Sequence, residues 1–120
     1  MRLVSEDAAA FQRLSAFKKE DRRGALYQTA LKKSARVPLE VCELSEKLLG
    51  LGRQEMPRTS RWLKSDLIEA IWFLRSGFFG GRLNVEANLS LLRSPTAARP
   101  IRNRLRGLEK NVQKFQGRFD

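Results

Sequence analysis

The chain has 120 residues, enough for one small domain around a single core, and 42% of them are hydrophobic, which excludes a disordered chain by composition. It contains no histidine and one cysteine, Cys42, so His-based catalysis, the usual zinc sites, a disulfide framework and a thiolate metal cluster are all excluded. Net charge is +11 and uneven: residues 1–92 hold sixteen Lys/Arg against eleven Asp/Glu, and residues 93–120 hold eight against two.

In chain order, the opening MRLVSEDAAAF reaches acidic residues within six positions and has no apolar signal core, and no later run approaches the roughly 18–20 apolar residues of a membrane span. Cytoplasm, or an organelle matrix after processing, is the expected location. Ser5 reads as an N-cap with Glu6 and Asp7 in the first helical turn. Phe11, Leu14 and Phe17 form that helix's apolar line, which ends at the charged KKEDRRG stretch.

A second helix is predicted from about Arg22. Leu26, Ala30, Val37, Val41, Leu44 and Leu48 recur at helical spacing, with Tyr27, Leu31 and Ser34 alongside. Pro38 lacks an N–H and frees the carbonyl of Ser34, so a kink or break is expected at 36–38. Gly50 to Gly52 are the expected C-cap, and RQEMPRTS the following loop. Cys42, between Val41 and Leu44, reads as a buried small hydrophobe.

The third helix is predicted from about Ser60 to Leu92, with Trp62 and Trp72 as packing residues. One stripe, Leu67, Ile71, Leu74, Phe78, Val85, Leu89 and Leu92, is a core face. A second, Asp66, Ala70, Phe73, Gly77, Gly81, Asn84 and Asn88, lines up on another side. Two readings of this second stripe stand side by side. Gly77 and Gly81 admit a crossing helix while the asparagines satisfy buried backbone or fix a dimer register. Alternatively, the same residues line a pocket for a flat ligand. Asp7 and Asp66 are either functional carboxylates or first-turn partners of a helix dipole, with Ser60 and Ser65 as alternative caps beside Asp66.

After SPTAARP a last helix covers about 101–116, within a basic C-terminal segment of 98–118. Ile101, Leu105, Leu108, Val112 and Phe115 form its apolar stripe, and Arg102, Arg106, Lys110 and Lys114 a basic flank joined by Arg99. Its charge suits an anionic partner, an acidic protein or nucleic acid, or else forms a solvated face. No phosphate-binding glycine loop, nucleophile elbow or nucleic-acid motif occurs. The sequence therefore predicts an all-α domain of four or five helices, completed by a second copy or a partner chain.

The order of three segments, SEDAAAF, ALYQTALKKSARVPLEV and SDLIEAIWFLRSGFFGGRLNVEANLSLL, resembles the cyclodeaminase/cyclohydrolase family. That family includes the cyclodeaminase domain of formiminotransferase-cyclodeaminase and bacterial methenyltetrahydrofolate cyclohydrolases. The matching residues are Asp7, Ala10 and Phe11; Val37, Pro38 and Leu39; Ser65 and Asp66; and Gly80, Asn84, Val85, Asn88 and Leu89, spread over residues 5 to about 115. The resemblance covers the C-terminal two-thirds of such a domain, without its N-terminal Pro-Gly-Gly-Gly segment and alanine-rich helix. It implies an all-helical, dimeric protein acting on a one-carbon tetrahydrofolate, by hydrolysis of 5,10-methenyltetrahydrofolate or release of ammonia from 5-formiminotetrahydrofolate. Neither reaction requires a metal, and the folate is substrate rather than bound cofactor. Asp7 and Asp66 would be acid–base or pterin-binding carboxylates, Ser65, Gly77, Gly81, Asn84 and Asn88 would contact substrate, and basic residues would suit the folate's glutamate tail. The alternative the sequence supports is a non-catalytic paralogue that docks on an acidic protein or nucleic acid through Arg99, Arg102, Arg106, Lys110 and Lys114.

Overall fold

The computed structural model describes residues 2–18, 21 and 24–117. It is all-helical: α1 spans Arg2–Ser15, α2 Ala25–Glu55, a 3-10 turn Met56–Arg58, α3 Lys64–Leu89 and α4 Pro95–Val112. Among the described residues there is no strand.

The helix boundaries depart from those the sequence suggests. Ser5 lies inside α1, and neither Ser60 nor Ser65 caps α3, whose N-cap position is Leu63 with no side-chain cap bond. The expected start of the second helix at Arg22 falls outside the described residues. No break occurs at Pro38. The helix continues through it and through Gly50 and Gly52 for 31 residues. A mid-helix proline costs about 3 kcal/mol, and packing offsets it, because Pro38 is buried between α1 and α3. Gly52 faces Ile71, where an added Cβ would touch Cγ1 at 3.4 Å, so its small size serves helix contact rather than capping. The helix stops where Pro57 enters the 3-10 turn. α4 begins at Pro95, six residues before the expected start, and carries Pro100 within it.

Helices α2 and α3 form an antiparallel pair. Gly81 lies against Pro38 and Cys42, Gly77 against Ser45, and Gly52 against Ile71 and Leu67, so contacts climb one helix as they descend the other. The other two helices cover opposite sides of this pair. On one side α1 starts at Arg2, paired with Glu40 at 2.8 Å, and just past its end the Phe17 ring meets Tyr27 edge-on at 5.2 Å. On the other, α4 packs parallel to α2, with Arg104 at Glu43 and Asn111 at Glu46.

The core lies between α2, α3 and α4, with Ala35, Cys42, Leu49, Phe78, Val85, Leu89, Leu105, Leu108 and Val112 all buried. On α3 the buried line is the one the sequence marks. On α2 it is shifted: Leu31, Ala35, Cys42 and Leu49 go inside while Leu26, Leu44 and Leu48 are exposed. Trp62 (86% exposed) and Trp72 (55%) are not core residues either. Trp62 sits in the turn before α3, where helical spacing no longer applies. The Trp72 indole N–H instead donates to the carbonyls of Gln116 and Gly117, at 3.4 and 3.1 Å, and pins the chain beyond α4 across α3. Gly117 is suited to this strap: its φ is +58°, and a Cβ there would lie 3.0 Å from Ile71 Cγ2.

The molecule is flat and long, with extents of 58 × 28 × 15 Å and a radius of gyration of 17.3 Å, against about 13–14 Å for a compact chain of this length. Its surface is 8571 Å², where a compact chain of its mass would expose about 6,600 Å².

Candidate functional site

The glycine-rich turns of α3 form the floor of a cleft roofed by α1. Gly77, Gly80, Gly81 and Asn84 lie beneath, Val37, Pro38 and Val41 form the α2 wall, and Leu3, Val4 and Asp7 come from α1. Its volume is about 370 Å³. Asp7 is exposed, and its carboxylate makes no hydrogen bond or ion pair with a described residue. A single acid therefore stands at the rim of a backbone-floored slot whose other polar side chain is Asn84.

The three glycines have different reasons to be there. At Gly81 a Cβ would sit 2.9 Å from Cys42 Sγ and 3.2 Å from the Pro38 carbonyl oxygen, so a side chain would force α2 and α3 apart. At Gly77 it would meet only Ser45 Oγ at an ordinary 3.5 Å, and at Gly80 it would meet nothing within 4 Å. Packing accounts for Gly81. It does not account for Gly80, where the missing side chain keeps the cleft open.

Asn84 lines the same slot, and its side chain has no hydrogen-bond partner among the described residues. Asn88, one turn on, is differently placed. Its amide donates to the Asn84 carbonyl at 3.1 Å, and it lines a smaller hollow of about 170 Å³ with Asp7, Ala10, Phe11, Leu14 and Ser34. Asp7 thus borders both spaces.

Ser65 and Asp66 are not brought to this cleft. Asp66 is exposed in the first turn of α3, eleven residues before Gly77 and so roughly 16 Å along the axis. Ser65 belongs to an open shelf with Ile68, Glu69, Trp72, Phe73 and Ser76. Val37, Pro38 and Val41 supply a wall that the residue pattern alone does not assign. The signal for it is the mid-helix proline, tolerated where α1 and α3 both press on it.

Cys42 lies under the cleft floor, fully buried, its thiol donating to the Phe78 carbonyl at 3.5 Å. Burial, with Glu43 adding to it, pushes the thiol up to about 11, so it stays neutral and unreactive at physiological pH. Among the described residues no three His, Cys, Asp or Glu side chains cluster as metal ligands would, and no helix is long and apolar enough to cross a membrane.

The basic residues of the C-terminal helix divide into two sets. Arg102 pairs with Glu86 at 3.1 Å and Arg104 with Glu43 at 3.4 Å. Arg99, Arg106 and Lys110 are exposed and without an ion pair among the described residues. Lys114, beyond the helix, borders a cleft of about 400 Å³ with Arg53, Met56, Ile71 and Phe115.

The model of the formiminotransferase-cyclodeaminase family matches residues 1–107 of the chain. No curated protein and no solved structure matches the chain.

Proposed function

The chain belongs to the formiminotransferase-cyclodeaminase family, and from that premise we propose that the cleft beneath α1 takes a one-carbon tetrahydrofolate. The reaction is the hydrolysis of 5,10-methenyltetrahydrofolate or the loss of ammonia from 5-formiminotetrahydrofolate. The observation that carries the reading is the meeting of Asp7 with a floor of backbone at Gly77, Gly80 and Gly81 and with the Asn84 amide. A flat heterocycle needs a slot without side chains, apolar faces above and below, and a few polar groups at its edge.

In the hydrolysis, water adds to the C=N carbon and the Asp7 carboxylate takes the proton that the water loses. That proton then goes to the departing nitrogen as the ring C–N bond breaks, while the hydroxyl on the carbon releases its own proton to solvent and becomes the formyl C=O. In the ammonia-releasing reaction the exocyclic N10 nitrogen attacks the carbon of the protonated formimino group, and the Asp7 carboxylate takes the proton that this nitrogen loses. That proton passes to the formimino nitrogen, which leaves as ammonia as its C–N bond breaks. A positioned carboxylate contributes typically 10²–10⁴-fold to such proton transfers. Asp66, roughly 16 Å along α3 from Gly77, lies outside this cleft and takes no part in these proton transfers.

The cleft is partly open to solvent. The Val37–Val41 wall continues along α2 as Leu44, Leu48 and Leu51, all exposed. The surface beyond that of a compact chain, about 1,900 Å², exceeds the roughly 800 Å² that each partner contributes to a standard interface. A second copy of the chain laid on this stripe would close the site.

The test is the loss of 5,10-methenyltetrahydrofolate absorbance on adding protein, in wild type and Asp7→Asn. Turnover that falls by about 10² or more in the variant, with an unchanged thermal transition, is expected. Equal rates in both proteins, or none above the blank with folded wild type, would remove this reading.

A further inference from the structure

The outer face of α4 is built unlike the rest of the surface. Leu105, Leu108 and Val112 point inward, and the two edges of the helix are tied down by Arg104 to Glu43 on α2 and Arg102 to Glu86 on α3. Between those edges lie Arg99, Arg106 and Lys110. At 100° per residue they fall within about 40° of one another, over roughly 16 Å of helix. The only acid of α4, Glu109, is held by Arg82 at the edge of this row, where Arg106 borders the same hollow. The positions between and beside the cations are Asn103, Gly107 and Gln113, all exposed. Among the described residues, every large exposed hydrophobic side chain lies at Leu91 or before it.

We propose that this face binds the sugar-phosphate backbone of nucleic acid without reading its sequence. The chemistry of the row favours nucleic acid over an acidic protein. Protein interfaces are anchored by apolar and aromatic side chains at their centre, and this face offers none. Nucleic-acid interfaces are polar and strongly positive, with Arg, Lys, Asn and Gln side chains on phosphate oxygens, which is the composition here. Without aromatic residues the row cannot stack unpaired bases, so a duplex is the natural form. The row lies on the side of the α2–α3 pair opposite the cleft, and its binding does not depend on what the cleft holds.

The experiment is fluorescence anisotropy of a labelled 20-base-pair DNA duplex over 50–200 mM salt, with three proteins. One is wild type and one is the triple variant Arg99→Gln, Arg106→Gln, Lys110→Gln. The third removes the same charge elsewhere, at the exposed Lys33, Lys47 and Arg61. Far-UV circular dichroism shows that each is folded. Wild type is expected to bind, and the α4 variant to lower the slope of log affinity against log salt by roughly 2.7, or 0.9 for each phosphate no longer neutralised. The third protein is expected to lower it by less than about 1. No binding at 50 mM salt, or an equal fall in slope for both variants, would overturn the proposal. So would displacement of the duplex by poly-glutamate as readily as by unlabelled duplex, which would assign the face to acidic polypeptides.

Discussion

The two sides of the α2–α3 pair are finished in opposite ways. Under α1 the helices meet through glycine and small apolar side chains, and the exposed line Leu44, Leu48 and Leu51 runs on from the cleft wall. Under α4 they meet through large core residues, the edges are sealed by arginine–glutamate pairs, and what faces solvent is polar and cationic. The first side leaves room and apolar surface; the second is a completed packing layer. The open side carries the cleft proposed for the folate, and the closed side carries the cationic row proposed for a duplex.

The contrast between the two sides breaks most sharply at Gly81. Gly81→Ala sets a methyl group against Cys42 Sγ and the Pro38 carbonyl, and overpacking of this kind costs about 1–3 kcal/mol, read as a lowered midpoint in urea. A smaller loss belongs to the sealed side. Glu109→Gln leaves the part-buried Arg82 without its charge partner, for about 1 kcal/mol. The exposed pair of Arg104 and Glu43 is expected to contribute about 0.5 kcal/mol or less in a double-mutant cycle.

Cys42 sharpens the picture through pH. Its folded thiol is raised from 9.0 to about 11, chiefly by burial. The stability gained from keeping it neutral is whole below pH 9 and is lost as pH rises from about 9 to 11. Denaturation curves of wild type and Cys42→Ala should therefore converge over that window. The native thiol should also resist alkylation at pH 8.

Much of this architecture was legible because helical periodicity survives a single sequence. The α3 stripe from Leu67 to Leu89 and the α4 stripe from Leu105 to Val112 fall where spacing puts them. Boundaries were less legible. Ser5 resembles a cap but α1 begins before it, and Pro38 and Gly52 resemble breakers but are held by tertiary contacts that no local rule contains. Of the candidate site, spacing gives the shared line of Gly77, Gly81 and Asn84. It gives neither the arrival of Asp7 from another helix nor the axial distance that parts Asp66 from them, since a helical wheel carries angle without height. Nor could it separate Gly81, which packing requires, from Gly80, which packing does not.

That last distinction gives the most direct test. Affinity for 5,10-methenyltetrahydrofolate, measured by calorimetry in wild type and Gly80→Ala beside the thermal unfolding of each, separates a site from a packing motif. A methyl group at Gly80 meets no neighbour and removes a helix-interior glycine, so stability should hold or rise by about 0.5–1 kcal/mol. Tenfold or weaker binding in that equally stable protein is the result the glycine-floored cleft requires. Equal affinity in both would contradict it.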